Sequence, residues 1–303
     1  MRESPSILGV THSDVAFEVP EGAVDCHVHV FGPLARFPYS MTRVYTPADA
    51  SIADLTRLAR ELGIGRIVIV HPSPYDTDNA CSLDALNTLN KMGIPTRMVA
   101  VIDLSIEAAD LEAMHAAGVR GARLNLETTG VRDPEIARHL LRVTAERVAP
   151  LGWHLQTFTN LAMLAALENA ILGLPLPLVV DHMAHCRAEQ GLGQPHMDVL
   201  LRLVASGKVF VKLSGAYRVS NRADYADVDD IARALIAAGP DQMVWGSDWP
   251  HVGGPRGPEF RDTVQPFLPI DDGAQLNALA RWAPEAADRH RILVETPARL
   301  YDF

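Results

Sequence analysis

Two histidines separated by one residue follow an apolar run near the start of the chain, in the segment AVDCHVHV at 23–30. Because successive side chains of a strand point to opposite faces, His27 and His29 share a face. Two imidazoles side by side at a strand end can bind a metal ion or form the polar base of a catalytic site. The alternative is that the two histidines form a coincidental pair on an edge strand. A second polar cluster, GSDWPH at 246–251, also ends a strand-like run and contains Asp248 and His251.

The composition excludes several classes of function. The 303 residues carry a formal net charge of −10, so no basic field attracts nucleic acid, although a few arginines can still bind an anionic small molecule. No apolar stretch has the length of a membrane helix, and the first twenty residues lack a signal pattern. We therefore expect a cytoplasmic protein with neither membrane nor nucleic-acid partners. The three cysteines form neither a zinc spacing nor a disulfide framework.

Short apolar runs alternate with segments of helical periodicity along the chain. The predicted strands are 23–30, 66–71, 97–103, 121–126, 152–158, 177–183, 209–215 and 242–247. Helical patterns lie at 51–62, 105–117, 135–148, 160–171, 196–205 and 228–237. Eight such units favour an α/β fold of the (β/α)8 barrel type over a Rossmann sheet, whose glycine fingerprint is missing after the first strand. We predict an irregular N-terminal arm over 1–20 and a single barrel domain over 21–303.

Polar residues recur where the predicted strands end. In a barrel, the carboxyl ends of all strands meet at one face, and the active site lies there. Because polar groups inside a packed barrel are unfavourable without a partner or a task, their convergence predicts an enzyme. The residues are His27, His29, His71, Ser73, Arg123, Asn125, His154, Gln156, Asp181, His182, Ser214, Arg218, Asp248 and His251.

Three of these residues have competing interpretations. Asp248 is a candidate general base or metal ligand, or else it caps the following turn. His182 is a candidate site residue, or else a buried histidine bonded to a backbone carbonyl. Arg123 lies inside an apolar strand, where it needs either an internal carboxylate such as Asp103 or Glu127, or an anionic ligand.

Several longer motifs resemble the amidohydrolase superfamily, and more narrowly its branch of 2-pyrone-4,6-dicarboxylate lactonase-like enzymes. The opening motif and the one after the eighth strand are the specific ones, and the others support them. The matching segments are DCHVHVFGP at 25–33, FPYS at 37–40, TDN at 77–79, GWH at 152–154, DHM at 181–183, WGSDWPH at 245–251 and TPARLY at 296–301.

The resemblance implies hydrolysis of a lactone ring by a barrel enzyme. Carried over to this sequence, Asp248 activates water, while His27, His29 and His182 polarise the lactone carbonyl. Residues expected to bind the substrate are Tyr45, Ser73, Arg123, Gln156, Arg218 and His251. The expected partner is a small lactone, and a homo-oligomer is left open.

Two departures from the family pattern bear on the substrate and on the metal. The chain has ETTG at 127–130 where the pyrone lactonase carries extra basic residues, which favours a different lactone, such as a muconolactone, a sulfonated muconolactone or a sugar lactone. The fourth strand lacks the lysine that bridges two metals in binuclear relatives. One Zn²⁺ on His27, His29 and Asp248 is left open, but the fifth strand offers no clear histidine ligand unless His154 points inward. We therefore expect a metal to be weakly bound or absent.

Three other functions compete with a lactone hydrolase. The first is a metal-dependent decarboxylase of the same superfamily, which shares the His-x-His motif and the late aspartate. The second is a lactone isomerase, which moves the acyl bond without admitting water. The third is a binding protein without catalytic activity.

Overall fold

The structure, a computed structural model, describes residues 10–303. Eight parallel strands pair in chain order into a nearly closed barrel, which confirms the predicted fold class. The strands are β1 (Val24–Val28), β2 (Arg66–Val70), β3 (Thr96–Ala100), β4 (Val119–Leu124), β5 (His154–Thr157), β6 (Leu178–Val180), β7 (Val209–Leu213) and β8 (Met243–Trp245). A separate short parallel pair, Thr46–Pro47 with Val264–Gln265, lies outside the barrel.

Helices follow each strand. They are α1 (Ile52–Glu61), α2 (Ala80–Lys91), α3 (Ala108–Ala117), α4 (Pro134–Val148), α5 (Leu161–Leu172), α6 (Met197–Ala205), α7 (Ala216–Val219), α8 (Asp229–Ala238), α9 (Asp272–Trp282), α10 (Ala286–His290) and α11 (Thr296–Tyr301). Five of these helices, α2, α7, α9, α10 and α11, were not predicted from the sequence. Among the described residues, no helix is both long and apolar enough to cross a membrane.

Local sequence explains where these helices begin. Ser51 caps α1 by accepting a hydrogen bond from the backbone N–H of Asp54, and Leu55 and Leu58 form its buried face. Asp133 caps α4 in the same way, with Pro134 at the first helical position, where a missing N–H costs nothing.

The barrel closes between β8 and β1 through a few backbone contacts. The N–H of Asp248 donates to the carbonyl of His27 over 2.9 Å, and the N–H of His29 donates to the carbonyl of Trp249 over 2.9 Å. The pairing of β1 with β2 shifts register between Asp25 and Val28, the kind of irregularity that re-aims a side chain. The two histidines therefore lie against the end of β8.

Apolar side chains fill the space between the barrel and its helices, and a smaller cluster lies among the strands. Val24, Val68, Val99 and Val244 belong to that smaller cluster together with Tyr301 of α11. Because Val24 begins β1, α11 packs at the amino-terminal end of the strands, opposite the strand ends that carry the polar residues.

The N-terminal arm packs on α9 over the part that is described. Ser13 donates to the Asp271 carboxylate from both its N–H and its hydroxyl, and the N–H of Ala16 donates to the side chain of Asn277. Residues 10–20 contain no helix or strand. Residues 1–9, the first part of the predicted arm, lie outside the described residues.

Candidate active site

Hydrogen bonds to Asp25 connect β1 to the segment that follows β8. Its Oδ1 accepts hydrogen bonds from the N–H of His27 (3.1 Å) and the N–H of Ser247 (3.0 Å). Gly246 is required here because a Cβ at this position would lie 2.7 Å from the Cβ of His27. This contact fixes His27 beside Asp248.

One carboxylate oxygen of Asp248 accepts two hydrogen bonds, and the other has no hydrogen-bond partner. Its Oδ2 accepts from the Tyr217 hydroxyl (2.6 Å) and from Nε of Arg218 (2.6 Å), while its buried Oδ1 has no hydrogen-bond partner. Burial raises the pKa of Asp248, but the positive charge of Arg218 is the largest opposing effect, and the pKa lies well below its ordinary value. The carboxylate is therefore ionised near neutral pH.

The unpartnered oxygen faces three imidazoles. Oδ1 of Asp248 lies 3.6 Å from Nε2 of His27, 3.7 Å from Nε2 of His29 and 3.6 Å from Nε2 of His182. Burial is the main cause that lowers the pKa of all three imidazoles, in His27 to about 4. The rings are therefore neutral near pH 7, and each has one nitrogen without hydrogen.

In a neutral imidazole, the hydrogen-bond partner of Nδ1 determines whether Nε2 of the same ring carries a hydrogen or a lone pair. Nδ1 of His29 lies 2.7 Å from the carbonyl oxygen of Val70, which can only accept, so Nε2 of His29 presents a lone pair. Nδ1 of His182 lies 2.9 Å from Oγ of Ser214, a group that can donate or accept. The lone pair of His29 and the oxygen of Asp248 repel each other unless a proton, a water or a cation lies between them.

This donor set fits a single divalent cation. The ligand atoms of His27, His29 and Asp248 all lie within 4.8 Å of one another, and Nε2 of His27 is buried without a hydrogen-bond partner. In a tetrahedral zinc site, bonds of about 2.0–2.1 Å place neighbouring ligands about 3.4 Å apart. The separations of 3.6 and 3.7 Å between Asp248 and the two histidines match that spacing.

The backbone around His182 is strained. Four consecutive residues, from His182 to His185, have φ between 48 and 56°, the left-handed region that non-glycine residues rarely adopt. Asp248 has φ of 68°. Each such residue costs about 1–2 kcal/mol, so the rest of the fold must stabilise this turn. Gly215 allows the close approach, because a Cβ there would lie 2.9 Å from Nδ1 of His182.

Arg123 has a buried carboxylate partner, Asp181, that was not predicted from the sequence. Its Nε and Nη2 donate to Oδ2 of Asp181 over 3.1 and 2.9 Å, and both side chains are buried. The partners proposed from sequence are wrong, because Asp103 is exposed and bonds Ser105, while Glu127 pairs with Arg132.

Gln156, which was predicted to contact substrate, does not line the cavity. It is fully buried, donates to Oδ1 of Asp181 (2.8 Å) and accepts from Nζ of Lys212 (2.9 Å). Lys212, which sequence reasoning missed, also donates to the carbonyl of Cys26 and lies 3.3 Å from Nδ1 of His27. Burial lowers the pKa of Lys212 to about 8. The contacts of Gln156 and Lys212 therefore help to hold His27 in position.

His251, also predicted to contact substrate, does not line the cavity either. Its Nε2 lies 2.9 Å from Oδ1 of Asp272, and its ring packs edge-on against Tyr217. His154, for which an inward orientation was left open, begins β5 and packs edge-on against Tyr301. It is therefore at the opposite end of the barrel from Asp248.

A cavity that opens to solvent lies above the carboxylate and the imidazoles. The structure brings together four of the predicted substrate-binding residues on its wall, Tyr45, Ser73, Arg123 and Arg218, and Asn125, Phe158 and Arg256 also lie on this wall. The polar and charged residues that line it are His29, Tyr45, Ser73, Arg123, Asn125, Thr128, His182, Arg218, Asp248 and Arg256. Three arginines against one carboxylate favour an anionic ligand.

A parallel eight-stranded barrel with a carboxylate and imidazoles grouped at its carboxyl-terminal strand ends defines an α/β-barrel enzyme. The chain belongs to the amidohydrolase family, whose profile, described as "Amidohydrolase", matches residues 24–303.

The chain is similar to several curated enzymes over nearly its whole length. It is 36% identical to the 4-sulfomuconolactone hydrolase of Rhizobium radiobacter, over 95% of this chain and 92% of that enzyme. It is 35% identical to the 2-pyrone-4,6-dicarboxylate hydrolase of Comamonas testosteroni, over 94% of this chain and 92% of that enzyme. The D-galactarolactone isomerase of Agrobacterium fabrum is 30% identical, over 99% of this chain and 97% of that enzyme. A solved apo structure of an Agrobacterium tumefaciens protein superposes with a TM-score of 0.76 at 27% identity, over 94% of this chain and 97% of that one.

Proposed function

We propose that this protein hydrolyses the ring of a small anionic lactone, with Asp248 as the general base that takes a proton from the attacking water. The observation that carries the proposal is the unpartnered Oδ1 of Asp248, which faces three imidazoles at a cavity lined by three arginines. The similarity to enzymes named as hydrolases of 4-sulfomuconolactone and 2-pyrone-4,6-dicarboxylate supports this substrate class.

Asp248 has one oxygen available for proton transfer. Tyr217 and Arg218 hold Oδ2, so Oδ1 accepts the proton when water attacks the lactone carbonyl. The low pKa of Asp248 makes it a weak base while Arg218 is fully engaged with it. A substrate anion that contacts the remaining guanidinium nitrogens of Arg218 weakens this hold and makes Asp248 more basic. Asp248 then returns the proton to the leaving ring oxygen.

The carbonyl oxygen becomes negatively charged during the attack and needs a fixed donor or positive charge beside it. When the Ser214 hydroxyl donates to Nδ1 of His182, Nε2 of His182 carries the hydrogen and donates to this oxygen. A divalent cation held by His27, His29 and Asp248 would supply Lewis-acid polarisation of the same carbonyl.

The walls hold the rest of the substrate. Ser73 donates to the Tyr45 hydroxyl over 3.3 Å, which places two hydroxyl groups on one side of the cavity. Arg123 and Arg218 lie at the cavity with part of each guanidinium already bound to a buried aspartate. These four side chains position the anionic groups so that the lactone carbonyl lies next to Asp248.

A lactone isomerase is the second candidate, favoured by the similarity to the D-galactarolactone isomerase. In that reaction a hydroxyl of the substrate attacks the carbonyl instead of water, and the same base serves. Single turnover in ¹⁸O-labelled water separates the two reactions. Hydrolysis places the label in the new carboxylate, and isomerisation leaves the product unlabelled.

A lactone panel assayed by proton release tests the proposal. The panel contains 4-sulfomuconolactone, muconolactone, 2-pyrone-4,6-dicarboxylate, D-galactarolactone and uncharged γ-valerolactone, each with and without a chelator. We expect opening of at least one anionic lactone at a rate far above that of the Asp248→Asn variant purified in the same way. The proposal is wrong if the wild-type protein opens no lactone faster than this variant.

A further inference from the structure

The three arginines at the cavity differ in their charge balance. Arg123 is paired with Asp181, and Arg218 is paired with Asp248. Arg256 has neither an ion pair nor a hydrogen bond to any residue from 10 to 303. The exposed Arg256 is therefore the one cavity arginine in that part of the chain whose charge is not neutralised by a carboxylate.

Arg256 is held in place by an aromatic ring. Its Cζ lies 4.4 Å from the centroid of the Tyr45 ring, within the range of a cation–π contact. Such a contact orients the guanidinium plane without using its N–H donors. The donors stay available for an anion in the cavity.

The two chain segments that carry Tyr45 and Arg256 are bound to each other. The N–H of Gly257 donates to the carbonyl of Val44 over 2.9 Å, Arg43 pairs with Asp262, and Thr46 donates to the carbonyl of Arg261. These bonds lie on both sides of Tyr45 in the chain and on the C-terminal side of Arg256. They hold the segment that follows Arg256 against the segment that carries Tyr45.

Neither of the nearby carboxylates, Asp262 and Glu259, forms an ion pair with Arg256. Asp262 is engaged by both Arg43 and Arg261, and the carboxylate of Glu259 lies against Gly257. A free guanidinium at the mouth of a polar cavity lowers the free energy of an anionic ligand through charge-assisted hydrogen bonds.

We propose that Arg256, stacked on Tyr45, is a specificity-determining residue that binds an anionic substituent, a sulfonate or a carboxylate, at the end of the lactone remote from the carbonyl. This inference rests on the proposed lactonase function. It names the substrate class more narrowly as lactones that carry an anionic group at the cavity mouth, in addition to any group held by Arg123 and Arg218.

The test compares Arg256→Gln with Arg256→Lys on three lactones of different charge. The substrates are 4-sulfomuconolactone with two anionic groups, muconolactone with one and γ-valerolactone with none. For Arg256→Gln we expect KM for 4-sulfomuconolactone to rise about 10-fold with kcat changed less than about twofold, an effect that shrinks at high salt. Arg256→Lys retains the charge and recovers most of the loss. KM for γ-valerolactone stays within about twofold, because no anion is present.

A matched control separates this effect from a general loss of positive charge. Arg60 is exposed on α1, and Arg60→Gln removes the same charge away from the cavity, so it should leave every KM unchanged. The inference is wrong if Arg256→Gln raises KM equally for all three lactones or leaves KM for 4-sulfomuconolactone unchanged.

Calorimetric binding keeps this test independent of catalysis. If no lactone is turned over, the proposed function fails, and 4-sulfomuconolactone is titrated into the wild-type protein and the Arg256 variants. About 10-fold weaker binding to Arg256→Gln alone then supports the anion subsite. Equal binding to both proteins, or binding to neither, contradicts the subsite.

Discussion

Asp25 is expected to make the protein less stable as the pH rises through the mildly acidic range. Burial raises the pKa of Asp25 to about 6, against the effect of hydrogen bonds from Ser247 and His27. No lysine or arginine pairs with this carboxylate within residues 10–303. Its ionised form is therefore unfavourable in the folded state.

The magnitude follows from the two pKa values. Below pH 3.8, the ordinary value for aspartate, Asp25 is protonated in both states and has no effect. Between pH 3.8 and about 6 the unfolded chain releases the proton while the folded protein keeps it, so the free energy of unfolding falls as pH rises. Each pKa unit corresponds to about 1.4 kcal/mol, and the total loss above pH 6 is about 3 kcal/mol.

Asp25→Asn removes this dependence while keeping the Oδ1 acceptor. Urea unfolding of the chelator-treated proteins is followed by tryptophan fluorescence from pH 4.5 to pH 8. The unfolding free energy of Asp25→Asn minus that of the wild type should rise by about 2 kcal/mol over this range, because about 1 kcal/mol is already lost at pH 4.5. Asp25→Ala, also uncharged, should show the same rise but lie lower throughout, because two buried N–H groups lose their acceptor. If the difference between Asp25→Asn and the wild type is constant with pH, the reasoning is refuted.

Two further variants probe the buried residues that support the site. Arg123→Met removes the guanidinium that donates two hydrogen bonds to Asp181 and leaves Lys212, 3.6 Å away, as the remaining cation. Urea unfolding at pH 7 should show a loss of about 2–3 kcal/mol, below the value for a buried charge left fully unpaired, and Asp181→Asn should partly recover it. A loss below about 1 kcal/mol would count against the pairing as a stabilising contact. Ser214→Ala removes the partner of His182 Nδ1 and should lower kcat about 10- to 100-fold with little change in KM. A kcat within about twofold of the wild type would show that Ser214 does not orient the imidazole.

The barrel could be predicted from sequence because its strands are buried on both faces. Such strands are short runs of apolar, mostly β-branched residues, and the amphipathic helices between them have a different period. The sixth strand shows the limit of this reasoning. The apolar run predicted a strand over 177–183, but β6 ends at Val180 because His182 enters a left-handed turn. No glycine marks this turn in the sequence.

The convergence of His27, His29, His182 and Asp248 could be predicted because these residues lie in short local motifs, whereas their hydrogen-bond and ion-pair partners could not be predicted. Arg123 pairs with Asp181, which is 58 positions away, and nearer carboxylates were the natural candidates. Lys212 stands alone in the apolar run VFVKL, and only the fold shows that Gln156 and the carbonyl of Cys26 surround it. One feature of the sequence could have indicated that Lys212 belongs to the buried network, because a charge inside a strand that is buried on both faces needs a partner.

Replacement of Asp248 by asparagine tests the central claim most directly. Asp248→Asn keeps the shape and one oxygen of the side chain but cannot take a proton from water. On the best anionic lactone of the panel, we expect kcat to fall about 10²- to 10⁴-fold, while calorimetry shows that the lactone still binds. A variant that retains more than about a tenth of the wild-type kcat would contradict the assignment of Asp248 as the general base.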